Sequence, residues 1–529
     1  MLLLLACTEP YVVPAGATVP LWGEPLDVWP DPLIRPDPTL DFPAEWHDAM
    51  PEGFSLVRDL EDLDGYGTSA AVVFRFSEPV DLATASVNFP GEYTLESADE
   101  GTTILLTPQV PLEPETDYAV WIEAGLLDAD GERVFQNEAL HAALNPPIEG
   151  FEGVPEDAVA ATTFRTQSLD GDDADVLAEM QADPATLSDW SCAAEGELER
   201  CEGTLSALDF LGEDREYGAP VPYEVPVTLW RPADHAGPVL IYGHGLGGDR
   251  GEGARIGRYL APLGLAVAAI DAPRHGDHPS VTDTAEFFWI LQFFGIEPSE
   301  GGLHVAQLRD NWRGAAWDKL QLADALRAEG ASEIFYAGHS LGGIMGPQLL
   351  ALDGDITAAE LRVPGGRVSE IVHRGETFAP LIALMAPSGT TDGEVDRFFP
   401  LLQTAIERGD AVNHARAFEA DILVTLVEDD DIIPNACTEV LARALQLEVA
   451  PPGEWEGLAQ SPPLPASGNR DGTTAIAFRY AEHWEDDTTG YETATHSDTF
   501  SSASGVAQSA AFWASKLETG SAEVIDPLD

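Results

Sequence analysis

The stretch "IFYAGHSLGGIMGPQLLAL", residues 334–352, runs from a short apolar segment through a glycine-flanked serine into a second apolar segment of helical length. Ser340 has a glycine two positions to either side, Gly338 and Gly342. Glycine makes up 49 of 529 residues, so chance alone places a serine between two such glycines roughly 0.3 times in this chain. The surroundings therefore decide the reading. Ile334 to Ala337 read as a buried strand and "LGGIMGPQLLAL" as a helix. A strand, a sharp turn and a helix are what an exposed serine nucleophile requires. Small residues at 338 and 342 let the backbone pass close to itself while the hydroxyl stands clear. The same turn sets the Leu341 amide at a helix N-terminus, aimed where an oxyanion would form.

A second oxyanion donor is expected from the loop after an earlier strand. "VLIYGHGLGGD", residues 239–249, supplies one: the apolar run Val239 to Tyr242 enters a glycine-rich loop in which the Leu246 amide is the candidate. His244 in that loop reads as structural. Around these two segments, from about residue 205, short apolar runs ("VPVTLWRP", "GLAVAAIDAP", "ITAAELRVP", "ADILVTLVED", "TTAIAFRYA") alternate with helical patterns. In "WDKLQLADALRAEG", for instance, Leu322, Ala325 and Leu326 share one helix face. The alternation predicts a mostly parallel sheet covered by helices on both faces, with catalytic loops at the carboxyl ends of its strands.

Residues 205–519 resemble an α/β-hydrolase, with "AIDAPRHGD" (269–277) similar to the loop after one of that fold's strands. The resemblance implies a triad in the chain order serine, acid, histidine. The acid is expected in "ILVTLVEDDDIIPN", which offers Glu428, Asp429, Asp430 and Asp431. A β-branched residue and proline following at the family's spacing favour Asp430, with Asp431 second. Two histidines compete for the base, His483 in "YAEHWED" and His496 in "ATHSDTF". The helical "SGVAQSAAFWASKLE" follows His496, as a helix follows the family's histidine, and favours it. The implied chemistry is ester hydrolysis through an acyl-enzyme, with no cofactor. Insertions near 280–312, containing "FFWILQFFGIEP", and near 366–418 are expected to form a cap over an acyl pocket. Residues 520–529 read as a tail.

The 26 Lys and Arg against 92 Asp and Glu leave a formal net charge of −66. Such a surface repels phosphate backbones and anionic lipid, which excludes nucleic acid as a partner. The only lysines are Lys319 and Lys516. The start, "MLLLLACTEP", resembles a bacterial lipobox although no basic residue precedes the leucines. That implies cleavage after residue 6, lipidation of Cys7 and export to the cell envelope on a lipid anchor. No later apolar run reaches the length of a spanning helix.

Residues 7–55 are rich in proline without sustained periodicity and read as an extended tether. From 56 to 166 short alternating runs read as a β-sandwich, and "FSEPVD", "LTP" and "LEPETDYAVWI" followed by "LLDADG" resemble bacterial Ig-like modules. Residues 167–204 read as a connector. Its acidic run "SLDGDDADVLAEM" lacks the glycine and the bidentate Glu of a calcium loop. Its "SCAAEGELERC" sets Cys192 and Cys201 close enough for a disulfide in an oxidising compartment, leaving Cys437 as a buried thiol and no zinc spacing. The combination of lipobox, Ig-like module and hydrolase resembles the bacterial surface lipoprotein lipases and lysophospholipases, which implies lipid esters as substrates. The alternatives are a short-chain esterase or polyester depolymerase, and a catalytically inactive surface adhesion protein.

Overall fold

A computed structural model describes residues 11–212, 214–232, 237–282, 285–297, 301–484 and 490–528; Cys7 and the lipobox lie outside them. The chain divides into two compact units, one of residues 52–55, 169–385 and 405–529 and the other of residues 1–51, 56–168 and 386–404.

The larger unit is built on ten strands: β1 (Thr186–Glu195), β2 (Leu198–Leu211), β3 (Tyr217–Pro232), β4 (Val239–Gly243), β5 (Ala266–Ile270), β6 (Ile334–His339), β7 (Ala358–Arg362), β8 (Asp421–Val427), β9 (Glu448–Val449) and β10 (Ala475–Tyr480). They form one sheet in the order β9-β10-β8-β7-β6-β4-β5-β3-β2-β1. Pairing is parallel from β9 to β5 and antiparallel from β5 to β1. The central parallel strands β4 to β8 are buried along their whole length, as "VLIYG" and "AVAAI" show, because helices cover both faces. On one face Leu240, Tyr242, Phe335 and Ala337 pack with Ile256 and Leu260 of helix Gly253–Leu260 and with Phe512 and Trp513 of helix Ala503–Thr519. On the other, Gly346 of helix Leu341–Leu352 lies so close that an added Cβ would fall 2.4 Å from Leu361 and 3.1 Å from Tyr336. This is an α/β-hydrolase-like architecture with an antiparallel extension at one edge.

That extension begins earlier than residue 205. Residues 167–204, expected as a connector, instead supply helix Asp173–Ala182, all of β1 and the start of β2, so the boundary is corrected to 169. β1 is an edge strand with mostly exposed side chains, so no apolar alternation marked it. Cys192 and Cys201 face each other across the β1/β2 hairpin and form a disulfide; Cys437 is a buried thiol. The acidic run is tied internally. Arg313 Nη2 donates to Asp172 Oδ2 at 2.8 Å and Trp317 Nε1 to Asp173 Oδ1 at 3.2 Å.

The expected tail is also corrected. Ala522 and Val524 are fully buried, Val524 exchanges backbone hydrogen bonds with Ala466, and Asp421 Oδ2 accepts from the Ala522 amide at 3.1 Å. A segment too short for periodicity gives no sign that two of its residues fill a groove in the core.

The smaller unit holds two antiparallel sheets. One has four strands in the order Val28–Trp29, Val72–Arg75, Thr103–Pro108, Tyr93–Ala98, and the other three in the order Val87–Asn88, Asp117–Ile122, Ala160–Arg165. The tether expected over 7–55 is corrected for residues 11–51, which belong to this unit. Trp29 pairs with Val73 in the four-stranded sheet, is fully buried, and packs its ring near Phe42, Trp46 and Tyr66. The prolines set turns between isolated anchors, a pattern with no period to read. The insertion near 366–418 divides in the same way: residues 386–404, including most of helix Asp392–Ile406, belong to the smaller unit and not to a cap. There Trp29 Nε1 donates to Thr404 Oγ1 at 3.2 Å and Gln403 Nε2 to Ser69 Oγ at 3.2 Å. No described helix is long and apolar enough to cross a membrane.

Deleting residues 522–529 should lower the unfolding free energy of the larger unit by about 3 kcal/mol, measured as a fall in its denaturant midpoint, because the buried Val524 side chain alone contributes about 1.5–3 kcal/mol.

Candidate active site

β6 delivers Ser340 in a backbone conformation that few non-glycine residues adopt, φ 53° and ψ −114°. Such strain persists only where the surroundings over-determine it. Here they do. The Ser340 amide donates to the Arg362 carbonyl at the end of β7 at 2.9 Å, and the Gly342 amide to the His244 carbonyl at 3.0 Å. A Cβ on Gly338 would fall 2.3 Å from Gly342 backbone atoms, and one on Gly342 would fall 2.1 Å from the Gly243 carbonyl oxygen. Both glycines of the motif are therefore demanded by backbone against backbone, a stronger statement than the pattern could make.

The glycine-rich loop after β4 lies against this turn, for an ideal Cβ on Gly245 would stand 3.9 Å from Ser340 Cβ. A tight turn, Gly248 N–H to Gly245 C=O at 3.0 Å, carries Leu246. His244 locks the loop from beneath. Its Nε2 accepts from the Ala272 amide at 2.9 Å, so its proton sits on Nδ1, which donates to the Gly245 carbonyl at 2.8 Å. Burial pushes its pKa down to about 4, which keeps it neutral. Glu252, missed in the sequence, accepts from the Gly245 amide at 3.2 Å. Helix Glu286–Phe293 reaches the loop with Ile290, within 3.5 Å of an ideal Cβ on Gly247.

Asp430 and His496 meet. His496 Nδ1 donates to Asp430 at 2.7 Å (Oδ2) and 2.9 Å (Oδ1). Asp430 Oδ1 also accepts from the Ile432 and Ile433 amides at 2.9 and 3.0 Å, which fixes the carboxylate. With its proton on Nδ1, His496 presents Nε2 as a base, and that atom is buried with no hydrogen-bond partner among the described residues. The competing carboxylates go elsewhere: Glu428 pairs with Arg479, and Asp429 and Asp431 are exposed. His483 lies on strand Glu482–Trp484 and reaches Asp498 at 3.5 Å. Asp498 Oδ2 in turn accepts from the Thr495 amide at 2.6 Å and hydroxyl at 2.7 Å. His483 and Asp498 thus shape the loop that carries His496.

Beneath the serine, Arg362 and Glu360 form a buried pair, Nε to Oε1 at 2.8 Å, tied to Tyr259, Ser509 and Trp513. His275 packs against Trp289 and Phe293 of the covering helix, and burial lowers its pKa to about 3. Among the described residues no group of three or more His, Cys, Asp or Glu side chains is placed to hold a metal ion.

Two outcomes are expected. Gly342→Ala should cost at least about 2 kcal/mol of stability by overpacking backbone against backbone, whereas Gly354→Ala, with open space around it, should stay within about 0.5 kcal/mol; denaturant melts of both compare them. His275 is neutral when folded and takes up a proton near pH 6.5 when unfolded, so its contribution is full above about pH 6.5 and declines on acidification toward its folded value. His275→Gln should therefore lose less stability than the wild type between pH 7 and pH 5 by the same measurement.

No family model and no curated protein matches the chain. Among solved structures the chain is similar to an acetyl xylan esterase from Paenibacillus sp. R4, at 16% identity and a TM-score of 0.41, over 59% of this chain and 87% of that one. It is similar to acetyl xylan esterase 1 from Thermoanaerobacterium sp. JW/SL YS485 at 17% identity and a TM-score of 0.39, over 52% and 84%. A peroxisomal α/β-hydrolase, Lpx1, from Saccharomyces cerevisiae aligns at 14% identity and a TM-score of 0.31, over 48% and 81%. The α/β-hydrolase-like fold stands on the chain's own strand order and on the strand, turn and helix around Ser340.

Proposed function

We propose that the protein is a serine ester hydrolase acting on lipid esters. The observation that carries the reading is the His496–Asp430 pair, which leaves a buried, unpartnered Nε2 in a site built around a strained serine. Ser340 Oγ attacks the ester carbonyl carbon as His496 Nε2 takes the hydroxyl proton. The negative oxygen is met by the Leu246 and Leu341 amides. The C–O bond to the alcohol breaks, His496 returns its proton to the departing oxygen, and water then releases the acid by the same two proton transfers.

The lipid-ester reading is supported by the aromatic character of the covering segment. Phe293 packs on Trp312 at 5.0 Å and Phe294 on Phe378 at 5.8 Å, while Phe287 and Phe288 are 61% and 40% exposed. An apolar surface of this kind suits acyl chains. The smaller unit, with its two antiparallel sheets, serves in this reading as an Ig-like spacer, and Cys7 as the lipid anchor of an exported protein.

A series of p-nitrophenyl esters of increasing chain length, with fluorophosphonate labelling alongside, tests the reading. Hydrolysis should rise from acetyl to medium and long chains; a peak at acetyl makes the protein a short-chain esterase. Ser340→Ala and His496→Ala should abolish labelling, His483→Ala should still label, and Asp430→Asn should lower kcat by about 10⁴ through the wrong histidine tautomer. Unchanged turnover in Ser340→Ala would sink the proposal.

A further inference from the structure

His339 precedes the serine and touches more of the site than its place in the motif suggests. Its ring lies 5.3 Å from the His496 ring at an interplanar angle of 60° and 5.1 Å from the Phe500 ring at 32°. Its Nε2 is 3.3 Å from the His496 carbonyl oxygen. A carbonyl only accepts, so Nε2 carries the proton and donates. On its other side, an ideal Cβ on Gly245 of the oxyanion loop would stand 3.3 Å from His339 Nδ1. The ring is buried beside His496, Phe500 and Gly245, with the charges of Arg362 and Asp430 acting on it with opposite sign, and burial keeps it neutral with its pKa down at about 3.

Resting on the hydrolase reading, we propose that His339 is a positioning residue that anchors the His496 backbone and so holds its Nε2 in register with Ser340 and the oxyanion loop. Asp430 fixes the His496 ring at Nδ1, but a single anchor at the ring leaves the main chain behind it able to swing. The Thr495 amide is tied to Asp498 one residue before His496. The His339 N–H to the His496 carbonyl is the second tie, and it comes from the residue bonded to Ser340. Base and nucleophile are thereby referred to the same short piece of backbone. Displacements of about 1 Å at such a site cost on the order of 10²-fold in rate.

The test compares His339→Leu, which fills the space without a donor, with His339→Gln, which keeps an N–H, in the full chain. In His339→Leu, kcat for p-nitrophenyl butyrate and the fluorophosphonate labelling rate should fall together by roughly tenfold or more, with KM changed less than about twofold. His339→Gln should recover most of the loss. The low-field proton resonance of the His496 Nδ1–H, sharp in the wild type and in His339→Gln, should broaden in His339→Leu as the ring loosens. Full kcat in His339→Leu, or equal losses in both variants that track their thermal midpoints, overturns the proposal. If the wild type neither hydrolyses esters nor takes the probe, the hydrolase reading fails, whereas an unbroadened resonance in His339→Leu overturns the role of His339 by itself.

Discussion

The turn that carries Ser340 depends on one place where three pieces of backbone meet without side chains between them. Gly243 at the end of β4 and Gly338 near the end of β6 are register partners in the sheet, and Gly342 in the first helical turn lies on top of them. Because no Cβ intervenes, the helix begins against the strand ends, and the residue that bridges strand to helix must take a positive φ. That residue is Ser340. The same contact sets the His244 carbonyl as the acceptor for Gly342, and His244 fixes the glycine-rich loop after β4. The Ser340 turn, that loop and the helix N-terminus are one geometric consequence of three missing methyl groups.

The interior is more polar than the composition suggests. With only 26 basic residues in an acidic chain, several are buried or half-buried and paired with carboxylates. Arg313 joins Asp310 and Asp172, half-buried Arg250 joins Asp271 and Asp277, and Arg362 joins Glu360. Half-buried Lys516 pairs with Asp421 at 2.8 Å, and Lys319 is buried, its pKa lowered to about 8. Buried pairs gain little net stability over apolar packing, but removing one partner leaves an uncompensated charge. The Arg362 pair sits under the serine turn and ties β7 to the helix that follows His496.

The strand, turn and helix around Ser340 are legible in the sequence because they are short-range signals, as is the spacing that sets Asp430 ahead of Ile433 and Pro434. The helix that follows His496 singles it out from His483, and Asp430 meets His496 at Nδ1. What escaped is of another kind. The β1/β2 hairpin is an edge whose side chains face water, so burial left no pattern. Residues 11–51 and 522–524 are held by single buried anchors such as Trp29 and Val524, which have no period. His339 acts on the backbone of a segment far along the chain, and nothing local marks such a partnership.

Helix Asp392–Ile406 has a consequence for how the molecule can be taken apart. Its Gln403 and Thr404 are bonded to Trp29, Ser69 and Gln167, far earlier in the chain, while residues 169–385 and 405–529 belong to the other unit. A stop codon or a protease site near residue 168 would therefore not yield two whole parts. The later fragment would keep a helix whose buried side belongs elsewhere, and the earlier one would lack a wall of its core. The polypeptide is interleaved, and its two units are inherited, expressed and degraded as a single object.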